Sequence, residues 1–296
     1  MPAIKSSKMT RTQGEILLAA VIIARSTSFL CSKVLMQGLD PFNLMAVRFL
    51  LAFSLLAVLF RKRMAHLSPA TLLRGFLLGL AFFAVMTAEL FGLRLTDSST
   101  TSFLENTAIV FVPILEAILL HRFPRPIIIT STLVTMAGIG LLTLDNGLVS
   151  WQGGEPLCML AAILYAIAII LTDRLSHEDD PLVLGILQVG TMGVLALVAT
   201  TLLESPRLPA TGLEWGAVLW LAVVCSGFGF TFQPVAQSYT TAQRASMFCA
   251  LSPVSSAILG VCILGEDMGF RAILGAALVM AGILLVTVFG KSRAKS

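Results

Sequence analysis

The chain has 296 residues, 57% hydrophobic and only 12% charged, with a mean hydropathy of +0.92. A soluble domain carries about a quarter charged residues, so this composition calls for lipid as solvent. The net charge of +4 comes from short basic clusters between apolar runs, which excludes a nucleic-acid-binding surface and points to orientation in a membrane.

A helix needs roughly 20 mostly apolar residues to cross the hydrocarbon core. Taken in order, the sequence offers ten such stretches: 14–36, 42–60, 70–93, 98–119, 126–144, 155–173, 181–203, 213–236, 240–263 and 270–289. Lys5, Lys8 and Arg11 precede the first without a clear small-residue cleavage site, so it is expected to stay as an uncleaved span. Short tails, 1–13 and 290–296, flank the spans. With the N-terminus in the cytoplasm, Lys5, Lys8, Arg11, Arg61, Lys62, Arg63, Arg74, Arg122, Arg125, Arg174, Arg244, Lys291, Arg293 and Lys295 fall inside, and Arg94, Arg207 and Arg271 outside. The positive-inside rule therefore predicts cytoplasmic termini and a multi-pass protein of the inner (plasma) membrane. Cys31, Cys158, Cys225, Cys249 and Cys262 all lie in apolar stretches and form no CxxC, so no disulfide frame or metal site is expected.

The two halves repeat. At an offset of 140, Glu15 aligns with Glu155, Asp40-Pro41 with Asp180-Pro181, Thr100-Thr101 with Thr240-Thr241, and Pro113 with Pro253. At an offset of 144, Met136-Ala137-Gly138-Ile139 aligns with Met280-Ala281-Gly282-Ile283. Each unit, 14–144 and 155–289, holds five of the stretches. Five is odd, so the second copy enters from the opposite face, giving the inverted repeats common in secondary transporters, with a site near the midplane.

Several residues also carry a resemblance: Pro41-Phe42 before Arg48-Phe49, Gln237-Ser238-Tyr239-Thr240-Thr241 leading into Arg244, Leu251-Ser252-Pro253, and Leu264-Gly265-Glu266. Their order and spacing resemble the EamA family of the drug/metabolite transporter superfamily. The resemblance implies an all-α fold of ten membrane helices around a central cavity, and export or exchange of an amino acid or related small metabolite. Its first helix commonly holds an aromatic-glycine-serine stretch, where this chain reads Arg25-Ser26-Thr27-Ser28-Phe29.

Charges inside the spans are costly and mark cavities or partners. Arg25 is the deepest, and the offset sets it opposite Tyr165, where the resemblance implies an aromatic lining residue. Arg25 and its neighbour Ser28 are candidates to hold an anionic substrate group through the planar guanidinium fork; the alternative is a salt bridge to a glutamate. Arg48 with Glu89 or Glu105 is expected to form a buried ion pair, with Glu89 a further candidate for coupling. Glu105 and Glu116 are eleven apart, which puts them some 20 degrees apart on one face of a continuous helix, and Glu105 joins the substrate-site candidates. Pro113 and Pro253 are expected helix breaks. Gln233 and Gln237 add amides that a cavity wall would partner. The stripe Gly75/Gly79 is assigned to helix packing.

HExxH, GxSxG and Walker-type signatures are missing, so neither an enzyme nor a nucleotide-driven pump is expected, and no cofactor. The predicted function is a secondary carrier for a small polar molecule. The alternative is a non-transporting membrane partner or flippase-type subunit on a duplicated scaffold. Nothing in the sequence specifies an oligomer.

Overall fold

The structure is a computed structural model that describes residues 9–65, 67–96, 98–121, 123–143, 153–255, 258 and 270–289. Residues 1–8, the 144–152 connection, most of the second half of the ninth stretch with Leu264-Gly265-Glu266, Cys262 and the 290–296 tail lie outside them.

The described residues are helical, in the order α1 (Arg11–Ser26), α2 (Ser28–Leu35), α3 (Pro41–Leu59), α4 (Arg61–Met64), α5 (Pro69–Leu95), α6 (Ser98–Asn106), α7 (Ala108–Leu120), α8 (Pro126–Thr143), α9 (Glu155–Leu175), α10 (Pro181–Leu203), α11 (Gly212–Trp220), a π-helical segment (Leu221–Phe230), α12 (Thr231–Gln237), α13 (Ala242–Cys249) and α14 (Phe270–Phe289). Among the described residues seven helical stretches are long and apolar enough to cross a membrane, and α8 and α14 supply two shorter apolar helices. Val58, Leu202 and Leu203 are each more than 70% exposed on the outside of the bundle. Such surface suits acyl chains as solvent.

Helix starts follow the local chemistry. Thr10 caps α1 in a capping box with Gln13. The Asp-Pro pairs open α3 and α10 with proline in the first turn, where its missing N–H costs nothing. Asp180 caps its own helix through Leu182 N at 3.0 Å. Asp40 instead pairs with Arg94 at 3.0 Å, and the free N–H groups of Phe42 and Asn43 are taken by Glu204, at 3.1 and 2.8 Å. A residue that ends α10 thus caps α3, tying the halves together.

The principal pairings are α3 with α10, α8 with α14, and α5 with α9 and α10. Glycine permits the closest approaches. A Cβ on Gly75 or Gly79 would strike Leu187 or Thr191 of α10, and one on Gly138 or Gly282 would strike the α8–α14 contact.

Charged groups secure the two ends. Where α2 and α5 finish, Lys33 Nζ donates to the carbonyls of Leu93 and Thr96, both at 2.6 Å, so its charge meets the negative end of α5. At the opposite end Arg74 bridges Glu178 and Asp179, at 2.9 and 3.1 Å. There Arg244, counted from the sequence with the inside basic residues, is buried: it holds Glu15 at 2.6 Å and donates to Val286 O and Thr287 O, at 2.7 and 2.8 Å. One guanidinium so joins α1, α13 and α14.

Candidate functional site

Four interruptions surround one point in the bundle. Thr27 separates α1 from α2, its hydroxyl donating to Ala24 O at 2.9 Å. Thr107 separates α6 from α7, donating in the same way to Leu104 O. A threonine hydroxyl that bonds back to the preceding turn competes with the backbone ladder and bends the helix. Ala250 follows α13, its N–H donating to Met247 O at 3.2 Å. The fourth interruption is the ten-residue π segment, which contains Gly227 and Gly229.

The interruptions differ from those expected. α7 runs through Pro113, and the break lies at Thr107; the second lies at Ala250, just before Pro253. Pro253 sits in the first turn of the helical residues 251–255, where no intrahelical donor is needed, whereas Pro113 lies inside α7 and leaves the Ile109 carbonyl without its usual partner.

The interruptions border a cavity of about 40 Å3, lined by Ile22, Arg25, Ser28, Phe29, Met86, Glu89, Glu105, Asn106, Tyr165, Phe230, Cys249 and Ser252. Arg25 lies across it. Its Nη1 donates to Tyr165 Oη at 3.1 Å and to Gln233 Oε1 at 2.5 Å. Its guanidinium carbon lies 4.1 Å from the Phe230 ring centroid and 5.3 Å from that of Tyr165, placing the cation against two aromatic rings. Its stem passes over Gly229, where any Cβ would strike Arg25 Cγ. Tyr165 Oη also lies 3.4 Å from Cys249 Sγ. Among the described residues Arg25 forms no ion pair within 4.0 Å.

Of the sequence candidates, Arg25, Ser28, Glu89, Glu105 and Tyr165 line the cavity, and Gln233 reaches it through Arg25. Glu105 is buried and its Oε2 has no hydrogen-bond partner. Gln237 is buried but does not line the cavity, and its Oε1 is unpartnered.

The expected pairing of Arg48 with a glutamate is not formed. Arg48 is fully buried, yet its Nε donates to Ser226 Oγ at 3.0 Å and its Nη1 to Ser28 Oγ at 3.3 Å, with the guanidinium 4.8 Å from the Phe49 ring centroid. The π segment presents Ser226 to α3, so serines solvate this cation while Glu89 turns into the cavity. The face shared by Glu105 and Glu116 is likewise lost. The helical phase breaks at Thr107, and Glu116 does not line the cavity.

Sequence reasoning missed Phe230, Asn106 and Cys249 as lining residues, and the burial of Arg244. The run Cys225-Ser226-Gly227-Phe228-Gly229-Phe230 was the available signal for the π segment, since two glycines inside an apolar span mark irregular backbone or close approach.

The sequence profile of the EamA-like transporter family matches the chain twice, over residues 12–144 and 152–288. An uncharacterized transporter of Archaeoglobus fulgidus is 25% identical over 93% of this chain and 98% of its own length. The uncharacterized transporters YetK and YoaV of Bacillus subtilis are each 24% identical, over 93% and 94% of this chain and 87% and 97% of their own. A solved crystal structure superposes with a TM-score of 0.79 at 17% identity, covering 95% of this chain and 98% of that one, and so shares its fold.

Proposed function

The chain belongs to the EamA-like transporter family, and from that premise we propose that it is a secondary carrier for a small polar metabolite with an anionic group, an amino acid or related compound moved by export or exchange. In this reading ten membrane helices form two inverted repeats of five, 14–144 and 155–289, with both termini in the cytoplasm and the protein in the plasma membrane. The double match of the family profile supports the two repeats. The excess of basic residues on one side supports the orientation.

The observation that carries the proposal is the setting of Arg25. A cation from the first half is held in a cavity by neutral partners of the second half, Tyr165, Gln233 and Phe230, while Glu89 and Glu105 line the same cavity without an ion pair to it within 4.0 Å. A guanidinium held by neutral partners and backed by aromatic rings is suited to a carboxylate or phosphate, which it binds with two parallel donors. Gln233 Oε1 occupies one such acceptor position, so an arriving carboxylate replaces an amide oxygen. The exchange breaks the α1–α12 hydrogen bond and gives the ligand different contacts in the two states, as alternating access requires. No cofactor takes part, and the carrier is not an enzyme.

Reconstitution into proteoliposomes with a panel of radiolabelled amino acids tests this. The wild type takes up at least one of them and Arg25→Ala takes up none. Uptake unchanged in Arg25→Ala would overturn the role of Arg25, and no uptake by any variant would favour the non-transporting scaffold.

A further inference from the structure

Glu105 stands near the end of α6, just before the Thr107 interruption, 5% exposed and turned into the cavity with an unpartnered Oε2. The ionisable groups around it come from four elements: Arg25 of α1, Glu89 of α5, Tyr165 and Cys158 of α9, and Cys249 of α13. Their hydrogen bonds are directed elsewhere. Arg25 Nη1 is shared between Tyr165 and Gln233, Tyr165 Oη lies against Cys249, and the Cys158 thiol donates to Thr101 Oγ1 at 3.6 Å. An ionised carboxylate in such a place is strongly disfavoured unless something neutralises it. Arg25 lines the same cavity but forms no ion pair with Glu105 within 4.0 Å, which leaves Oε2 open to a proton or a cation from outside the protein.

The lining decides between them. A metal ion needs several oxygens converging at short range, but here Ser28 Oγ is turned to Arg48, the Asn106 amide donates to Ser102 O at 2.7 Å, and Arg25 shares the chamber with its own positive charge. A proton needs a single oxygen.

We propose that Glu105 is the group at which this carrier takes up and releases a coupling proton, an inference that rests on the carrier reading above. With the cavity empty of substrate, Glu105 holds the proton as a neutral acid. When the cationic end of a zwitterion docks against Oε2, the proton leaves to water and the carboxylate pairs with the ligand. Proton and substrate thus alternate on one oxygen, and because both occupancies leave Glu105 neutralised, an empty and ionised carboxylate does not cross between the two facings. The Thr107 interruption lets α6 carry Glu105 from one facing to the other without moving α7 as a rigid rod.

Infrared titration of the full chain in lipid nanodiscs reads the proton without any substrate. The carboxylic-acid C=O stretch of the wild type contains a component that disappears in Glu105→Gln and persists in Glu116→Gln, the same change on the adjoining helix outside the cavity. In proteoliposomes an imposed pH gradient drives accumulation of a radiolabelled amino acid by the wild type and by Glu116→Gln, and Glu105→Gln does not accumulate it. A spectrum unchanged in Glu105→Gln, or accumulation that survives that substitution, would overturn the proposal. If the Glu105 band behaves as expected while the wild type moves no amino acid, the carrier reading fails and Glu105 stands as a protonation site.

Discussion

Arg25 and Tyr165 stand 140 positions apart in the chain and meet at 3.1 Å. The same offset aligns Glu15 with Glu155 and Pro113 with Pro253. Two positions that this sequence offset pairs thus touch in the cavity.

Tyr165 therefore offers a graded test. Tyr165→Phe keeps a ring beside the guanidinium and removes the hydroxyl that Arg25 and Cys249 share. One hydrogen bond to a charged group contributes about 1.5–3 kcal/mol. Uptake should remain with an apparent affinity weakened by roughly tenfold or more. An affinity equal to that of the wild type would remove Tyr165 from the site.

The buried pair of Glu15 and Arg244 makes a stability prediction. Both side chains are less than 10% exposed, and Arg244 also holds two carbonyls near the end of α14. Removing one partner of such a pair costs about 3–5 kcal/mol because the other charge is left buried. Arg244→Ala should lower the melting temperature in detergent, and adding Glu15→Gln should restore part of the loss. The carbonyls of Val286 and Thr287 stay unpartnered in both variants, so rescue is incomplete. Independent, additive losses would show that the pair is not coupled.

Asp179, in the turn between α9 and α10, gives a pH dependence. Burial works to raise its pKa, but hydrogen bonds from Thr71 and Arg74 outweigh it and hold the carboxyl below its ordinary value. A depressed value in the folded state means the stabilisation is complete above the unfolded value of about 3.9 and is lost as pH falls through the folded one. The difference in melting temperature between wild type and Asp179→Asn should hold steady from neutral pH down to about 4.5 and narrow below about 4. A difference that stays constant in acid would contradict this.

The two repeat-related prolines should respond unequally. Pro113→Ala restores an interior donor to the Ile109 carbonyl and should stabilise α7, by up to about 3 kcal/mol, while reducing transport if the bend is needed. Pro253→Ala restores a donor that the first turn does not use and should leave stability near that of the wild type. Equal effects in both would place the break at the prolines after all. Thermal melts of the two variants decide it.

The all-helical, membrane-spanning character and the burial of Arg25 in a cavity were legible because each depends on local sequence: apolar length, and the rarity of a charge at membrane depth. Partner choice was not. Arg48 was matched to a glutamate because opposite charges attract, yet the π segment brings Ser226 to it first. Glu116 was placed on the cavity stripe by phase arithmetic that assumes an unbroken helix, and the Thr107 hydroxyl breaks that phase. Arg244 was counted with the cytoplasmic-side charges, and its burial was not visible because Glu15 and the α14 carbonyls are remote in the chain.

The role of Arg25 is tested most directly by measuring the thermal stability of Arg25→Ala in detergent beside its uptake in proteoliposomes, alone and combined with Glu89→Gln or Glu105→Gln. Arg25 is held by an amide, a phenol and an aromatic face, so its loss leaves no carboxylate stripped of an ion-pair partner. The account predicts a single variant that melts within a few degrees of the wild type and transports nothing. A single variant that unfolds readily, and recovers wild-type stability when either glutamate is neutralised, would contradict it and make Arg25 a counter-charge of the fold.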